Sequence, residues 1–330
     1  MLGTPVQHPP RDGITRLRWS KGGRLLATSW DATARIYDAS GCCQATLRVG
    51  EAPILDGCLQ DDATAFVGQL DGSVSRLDLI TQQRIPIGQH ADAVKCTEWL
   101  ESKGLLATAG WDSTLRYWDP RAPPLSPAVL QVQLPGKAYS LSATNSHIIA
   151  ATSGRHVHIY SLDRLDVLSQ PPRESSLKYQ TRCVAAFSGA PSFALGSVEG
   201  RVAMEVLDPA PSAQDAKYAF KCHRRNEAGT DVVFPVNCIT YHPLFGTFAT
   251  GGGDGVVNIW DGSNKKRLFQ ITGYPTSIAS MAFSHSGDTL AVASSYMYEF
   301  GERQGGPPDE IYIRPVTEAE VKPKPRKAAA

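Results

Sequence analysis

The stretches "TSWDATARIYD" (residues 28–38) and "TAGWDSTLRYWD" (residues 108–119) decide the reading of this chain. In each, short alternating strands flank a turn built on Asp31 or Asp112, and a tryptophan, Trp30 or Trp111, stands directly before that Asp. A large ring at a turn tip has little core beneath it, so it either packs sideways or is covered by something else. Aligning the chain on the turn Asp brings "QLDGSVSRLD" at Asp71 and "GGDGVVNIWD" at Asp254 into the same frame, with 40 residues from Asp31 to Asp71 and 41 from Asp71 to Asp112. Degenerate copies keep the phase: "SGRHVHIYSLD" centres on Arg155 and "SVEGRVAMEVLD" on Glu199, and "SSYMYEF" followed by "DEIYIRPV" supplies a seventh. Each copy is a string of short runs with period-two alternation and β-branched or aromatic residues between Gly, Asp and Ser turns, with no helical periodicity.

A period of about 40–45 residues ending in Trp-Asp resembles the WD40 repeat, whose copies each fold as a four-stranded blade and close radially. The expected fold is therefore all-β, a single seven-bladed WD40 β-propeller over residues 1–316, followed by a flexible basic and Pro-rich tail over residues 317–330. Residues near Val6 are expected to add the outer strand of the last blade, beside "EIYIRPV". The spacing from Glu199 to Asp254 stretches to 55 residues because "PAPSAQDAKYAFKCHRRNEAGTDVVF" intervenes. Insertions of this kind sit on loops of one propeller face.

A formal net charge of +1 over 330 residues argues against non-specific attachment to nucleic acid or a membrane surface. With no basic segment leading into an apolar run at the start, and nowhere 18 consecutive apolar residues, a cytosolic or nuclear protein is expected. Seven cysteines form no CxxC pair, so they read as buried small hydrophobes in a reducing compartment, and neither a metal nor a cofactor is expected. "GGGDGVV" (residues 251–257) looks like a phosphate loop, but a strand follows it where such a loop needs a helix N-terminus, so it reads as a β-turn. No nucleophile, base or paired carboxylates stand out, and an enzyme is not the expected class. His90 lies 22 residues before Asp112, where WD40 repeats use a His to bond the turn Asp and link strands to the blade's Trp, here Trp118.

The residue before the turn Asp falls on the loop between the second and third strands of a blade, on the top face of such propellers. Trp30 on blade one and Trp111 on blade three, with Leu70 between them on blade two, are expected to form an apolar strip for a shared partner, unless each ring only folds onto its own blade. Arg201 follows the turn of blade five, and Lys221, Arg224 and Arg225 lie in the insertion. Alone such a run is a solvated face; beside an aromatic strip it suggests a partner with both apolar and acidic groups.

The segments "EGRVAMEVLDP", "KYAFKCHR", "FPVNCITYHPLFGTFATGGGDGVVNIWD", "NKKRL", "YPTSIASMAFS" and "ASSYMYE" closely resemble the spindle-assembly-checkpoint propeller of the Bub family, through all seven blades. The chain is similar, less closely, to the Rae-type messenger-RNA export propeller, which shares "FKCHR"; "EGRVAMEV", "YPTSIAS" and "KPKP" favour the checkpoint family. The resemblance implies a non-enzymatic scaffold of the mitotic checkpoint. It would bind a short segment called GLEBS in checkpoint kinases and their pseudokinase relatives, and phosphothreonine repeats of a kinetochore scaffold, bringing the kinases to unattached kinetochores. Regulators of the anaphase-promoting complex would be further partners, and the nucleus and mitotic kinetochore, with the cytoplasm, the expected locations. On the same resemblance Trp30, Trp111 and Arg201 match GLEBS-contacting positions. Lys221 and Arg224 match positions near the phosphothreonine, with Arg201 serving either the phosphate or a partner glutamate. The second reading is an export-type propeller that binds a nucleoporin GLEBS segment and RNA.

Overall fold

The computed structural model describes residues 1–302 and 305–325. Seven four-stranded antiparallel sheets make up the ring, with one further two-stranded hairpin, Arg224–Glu227 with Thr230–Val233. From the innermost strand outward, blade one runs from Ile14–Trp19 to Cys43–Arg48 and blade two from Ile54–Leu59 to Gln83–Gln89. Blade three runs from Val94–Leu100 to Leu130–Gln133, blade four from Ala138–Ala143 to Arg173–Glu174, blade five from Thr181–Ala186 to Tyr218–Lys221, and blade six from Val236–Tyr241 to Lys266–Ile271. Blade seven consists of Ile278–Phe283, Thr289–Ser294, Glu310–Pro315 and Thr4–Pro5. The middle strands of blade one, Leu25–Ser29 and Thr33–Tyr37, are buried along their whole length because neighbouring blades cover both faces. The outer strand Cys43–Arg48 has one wet face and alternates.

The ring closes in two ways. Innermost strands of successive blades pack against each other, Ile14–Trp19 against Ile278–Phe283 included, and side chains cross the seams to backbone. The Leu17 N–H donates to Ser280 Oγ at 2.9 Å, Thr97 N–H to Asp56 Oδ2 at 2.8 Å, and Val184 N–H to Ser140 Oγ at 3.0 Å. The N-terminus then completes blade seven as expected: Thr4 pairs with Ile313, Pro5 with Tyr312, and the Val6 N–H donates to Ile311 O at 2.9 Å. Proline is tolerated there because this is an edge strand.

The solvated tail expected from residue 317 is corrected for residues 317–325. A one-turn helix, Glu318–Val321, lies against blade six: Val321 is buried with Ile271 and Tyr274, Thr247 Oγ1 donates to Val321 O at 2.8 Å, and Glu320 pairs with Arg314 at 2.7 Å. Pro and Lys composition pointed to solvent, but a single apolar side chain and a buried ion pair are enough to dock the segment. Residues 326–330 lie outside the described residues.

Inside blade three, Trp118 Nε1–H donates to Thr108 Oγ1 at 2.7 Å, the Thr108 hydroxyl faces His90 Nε2 at 2.8 Å, and His90 Nδ1 meets the Asp112 carboxylate at 3.0 Å. Each link fits only one proton placement: Trp N–H to Thr oxygen, Thr O–H to Nε2, Nδ1–H to carboxylate. Blade six repeats the device with Trp260, Thr250, His223 and Asp254 at 3.0, 3.0 and 2.9 Å. Burial pushes the His90 pKa down against the raising effect of Asp112, so the ring is held neutral.

Two outcomes are expected in urea denaturation. Thr108→Val leaves the Trp118 N–H and His90 Nε2 without partners and should cost about 2–6 kcal/mol, at about 1–3 kcal/mol per orphaned buried group. Because the folded pKa of His90 lies below its ordinary 6.5, its contribution is full above that value and declines as pH falls through it. The unfolding midpoint should therefore drop between about pH 7 and pH 5, and an unchanged midpoint would contradict the neutral network.

Candidate functional site

The top face is built by repetition of one turn. The Asp31 carboxylate accepts the Thr33 N–H at 3.0 Å, Asp71 that of Ser73 at 3.0 Å, Asp112 that of Thr114 at 3.1 Å, and Asp254 that of Val256 at 3.2 Å. The residue between is left-handed every time: Ala32 at φ 61°, Gly72 at 86°, Ser113 at 58° and Gly255 at 70°. Burial acts to raise the pKa of Asp31, but hydrogen bonds from Arg11 and Thr33 and the charge of Arg35 hold it below the ordinary value. The same balance, with His90 and Thr114, keeps Asp112 low. Each turn thus fixes the residue before its Asp at the rim, where backbone bonds lock it: Trp30 N–H to Gly13 O at 2.9 Å and Trp111 N–H to Ala93 O at 2.8 Å.

Trp30 is 43% exposed and Trp111 half-buried, and both line one cavity of about 430 Å³. Trp30 lies on Gly13, where an added Cβ would stand 3.2 Å from the ring. Trp111 carries the Lys137 ammonium 5.4 Å from its centroid, while its own Nε1–H is buried without a hydrogen-bond partner. Leu70, expected between the rings, does not line the cavity; Leu55 of blade two does. Also in the wall, and missed in the sequence, are Tyr296, Met297 and Tyr298 from the long connection in blade seven, with Ile14, Thr15 and Lys95 from the innermost strands of blades one and three. Tyr298 is 64% exposed at φ 57°, and Phe300 beside it 63% exposed. The aromatic run in "SSYMYEF", at the place where four of the copies carry the turn Asp, was the available signal.

The basic group gathers on blade five. Glu199 and Gly200, at φ 64°, make the same kind of turn, and Arg201 takes the place held by Thr33, Ser73 and Thr114. Arg201 pairs in register with Lys221 on the neighbouring strand, so two cations face the same side of the blade directly opposite each other. Neither has an acidic partner within 4 Å among the described residues, and Arg201 Nε and Glu199 Oε1 are buried without hydrogen-bond partners. Opposed like charges on neighbouring strands cost about 0.2–1 kcal/mol. Arg224 is engaged otherwise: it donates to Glu199 O at 3.0 Å and lies 3.7 Å from Asp231, bracing the hairpin against blade five. Arg225 lies over the Phe234 ring at 4.8 Å. The fold therefore brings Trp30 together with Trp111, and Arg201 with Lys221, but sets the two groups across the channel, blade five being two blades from both blade three and blade seven. Among the described residues no three His, Cys, Asp or Glu side chains converge to hold a metal.

The WD domain, G-beta repeat family matches residues 2–38, 82–119 and 220–261. Over 329 residues, 98% of this chain and 96% of the relative, the chain is 47% identical to the mitotic checkpoint protein BUB3.1 of Arabidopsis thaliana. It is 42% identical to the mitotic checkpoint protein bub3 of Dictyostelium discoideum, over 96% of this chain and 95% of that protein. A poly(A)+ RNA export protein of Schizosaccharomyces pombe is 34% identical over 98% and 93% of the two chains. With a seven-bladed ring, the repeated Asp turns and near full-length identity in agreement, the chain belongs to the mitotic checkpoint Bub3 family of WD40-repeat β-propellers.

Proposed function

We propose that this checkpoint propeller is a non-enzymatic adaptor that recruits kinases to unattached kinetochores in the mitotic nucleus. In this reading Trp30, Trp111 and Arg201 take the GLEBS segment of a checkpoint kinase or pseudokinase. Lys221 reads phosphothreonine of a kinetochore scaffold, with Arg201 serving the phosphate or a partner glutamate and Arg224 positioning the loop. The observation that carries it is the pair of tryptophans, two blades apart and incompletely covered, in the wall of a single apolar cavity, facing an uncompensated Arg201–Lys221 pair across the channel. A disordered segment loses conformational entropy when it binds, so it needs a rigid surface that already presents its anchors. Seven packed sheets provide that rigidity.

Burying a Trp removes roughly 150–250 Å² from water, on the order of 4–6 kcal/mol gross before ordering costs. Trp30→Ala or Trp111→Ala should lower GLEBS-segment affinity by about 2 kcal/mol or more, roughly 30-fold, in calorimetry with the fold retained. Wild-type affinity in both variants would return the rings to a structural role. For the charged half, paired phosphorylated and unphosphorylated threonine peptides are titrated by fluorescence. A phosphate adds about −1.5 to −2 charges, so wild type should prefer the modified peptide. That preference should weaken with salt and as pH falls through the second phosphate pKa, near about 6. Lys221→Glu should abolish the preference while Lys221→Arg keeps it. Equal affinity of wild type for both peptides, with steeply salt-dependent RNA binding instead, would favour the export reading.

A further inference from the structure

Past the third strand of blade seven, Glu310–Pro315, the chain turns back over blade six, and of residues 317–325 only Glu320 and Val321 are buried. Val321 sits in an apolar pocket with Ile271 and Tyr274, and its carbonyl accepts the Thr247 hydroxyl at 2.8 Å. Glu320 uses both carboxylate oxygens: Oε1 takes the buried Arg314 guanidinium at 2.7 Å, and Oε2 accepts the Thr317 N–H at 3.0 Å. The other ties lie at the surface, where Asn264 donates to Lys324 O at 3.0 Å and the Lys322 ammonium pairs with Glu318 at 2.8 Å. Two adjacent side chains therefore pin the whole segment. One of them, Glu320, is bonded to the backbone of Thr317, an exposed threonine followed by Glu318 and Glu320 one and three residues on.

We propose that Thr317 is a phosphorylation site for an acid-directed protein kinase, and that its phosphate unlatches this segment from blade six. The residue is on the surface, and the two carboxylates that follow it suit a kinase whose substrate groove is basic. In the transfer Thr317 Oγ1 bonds to the γ-phosphorus of ATP, the bond from that phosphorus to the ADP oxygen breaks, and the hydroxyl proton passes to the catalytic Asp of the kinase. About −1.5 to −2 charges then stand on a residue whose own N–H holds the Glu320 carboxylate. Arg314 and Lys322 are already matched, with Glu320 and with Glu318. Arg314 has spare donors in Nε and Nη1, but both atoms are buried and closed to a phosphate at the surface. Its Nη2 is the atom that meets Glu320, so the phosphate either repels that carboxylate or competes with it for Nη2. The pair breaks in both cases. A buried guanidinium without its carboxylate is strongly unfavourable, and lifting of the segment relieves this by admitting water. Val321, next in the chain, is carried out of its pocket by the same movement.

The test treats the full chain with ATP and an acid-directed kinase of the casein-kinase type, locates the phosphate by mass spectrometry and follows amide hydrogen exchange. After modification of Thr317 the Lys322 N–H, bonded to Glu318 O at 2.8 Å, should exchange on the order of ten times faster, while the strand Glu310–Pro315 exchanges as before. Thr317→Val, treated in the same way, should exchange like the unmodified chain. The double variant Arg314→Gln/Glu320→Gln keeps Val321 but offers the phosphate no carboxylate to repel, so modification should speed its exchange by no more than about twofold. Should that variant exchange fast before treatment, Thr317→Glu against Thr317→Gln decides, and the charged substitution should exchange the faster. Failure of the kinase to modify Thr317 in the folded chain, unchanged or slower exchange after modification, an equal acceleration in the double variant, or equal rates for Thr317→Glu and Thr317→Gln would overturn the latch. None of these results touches the adaptor reading, which uses no residue of this segment.

Discussion

The top face of this propeller depends on one small interaction, the carboxylate of a turn Asp accepting the backbone N–H two residues on. It forces the intervening residue into the left-handed region, which Gly72 and Gly255 adopt freely and Ala32 and Ser113 adopt at a conformational cost. It also fixes where the preceding side chain stands. In blade six that position is Gly253, which leaves the rim low, while in blades one and three it is a tryptophan. The same turn that ends a strand therefore also displays an anchor, and a change of one residue type converts a structural repeat into a recognition surface.

What the ring adds is rigidity with asymmetry. Interblade bonds use serine hydroxyls at some seams and the Arg16–Asp56 pair at another, but the geometry they hold is the same, including a bulge in every innermost strand. On that uniform scaffold the apolar cavity lies over blades one, two, three and seven, and the opposed cations belong to blade five. A partner that engages both ends must pass over the channel, and an extended chain reaches across at roughly 3.3 Å per residue.

The fold was legible because its signals are local. Turn Asp, alternation and period placed seven blades and the closing strand near Val6, and His90 was readable from its spacing of 22 residues to Asp112. His223 was not, since the insertion stretches the equivalent spacing to 31. Trp30 and Trp111 stood out as anomalies in a regular pattern, whereas Tyr296 and Tyr298 fall in a copy that lacks the Asp and so offered no frame. The Arg201–Lys221 opposition depends on strand register across a loop carrying its own short helix, Pro211–Gln214. The docked segment around Val321 escaped because composition describes the average of a tail and not its one buried side chain.

The central claim is that a rigid ring presents separate anchors to one bound chain, and a double-mutant cycle tests it most directly. The affinity of a GLEBS-type kinase segment is measured by calorimetry for wild type, Trp30→Ala, Arg201→Ala and the double variant. The account predicts that each single change weakens binding and that their costs add to within about 0.5 kcal/mol, as independent sites on a stiff surface do. Wild-type affinity in either single variant would contradict it, as would a coupling well above that value.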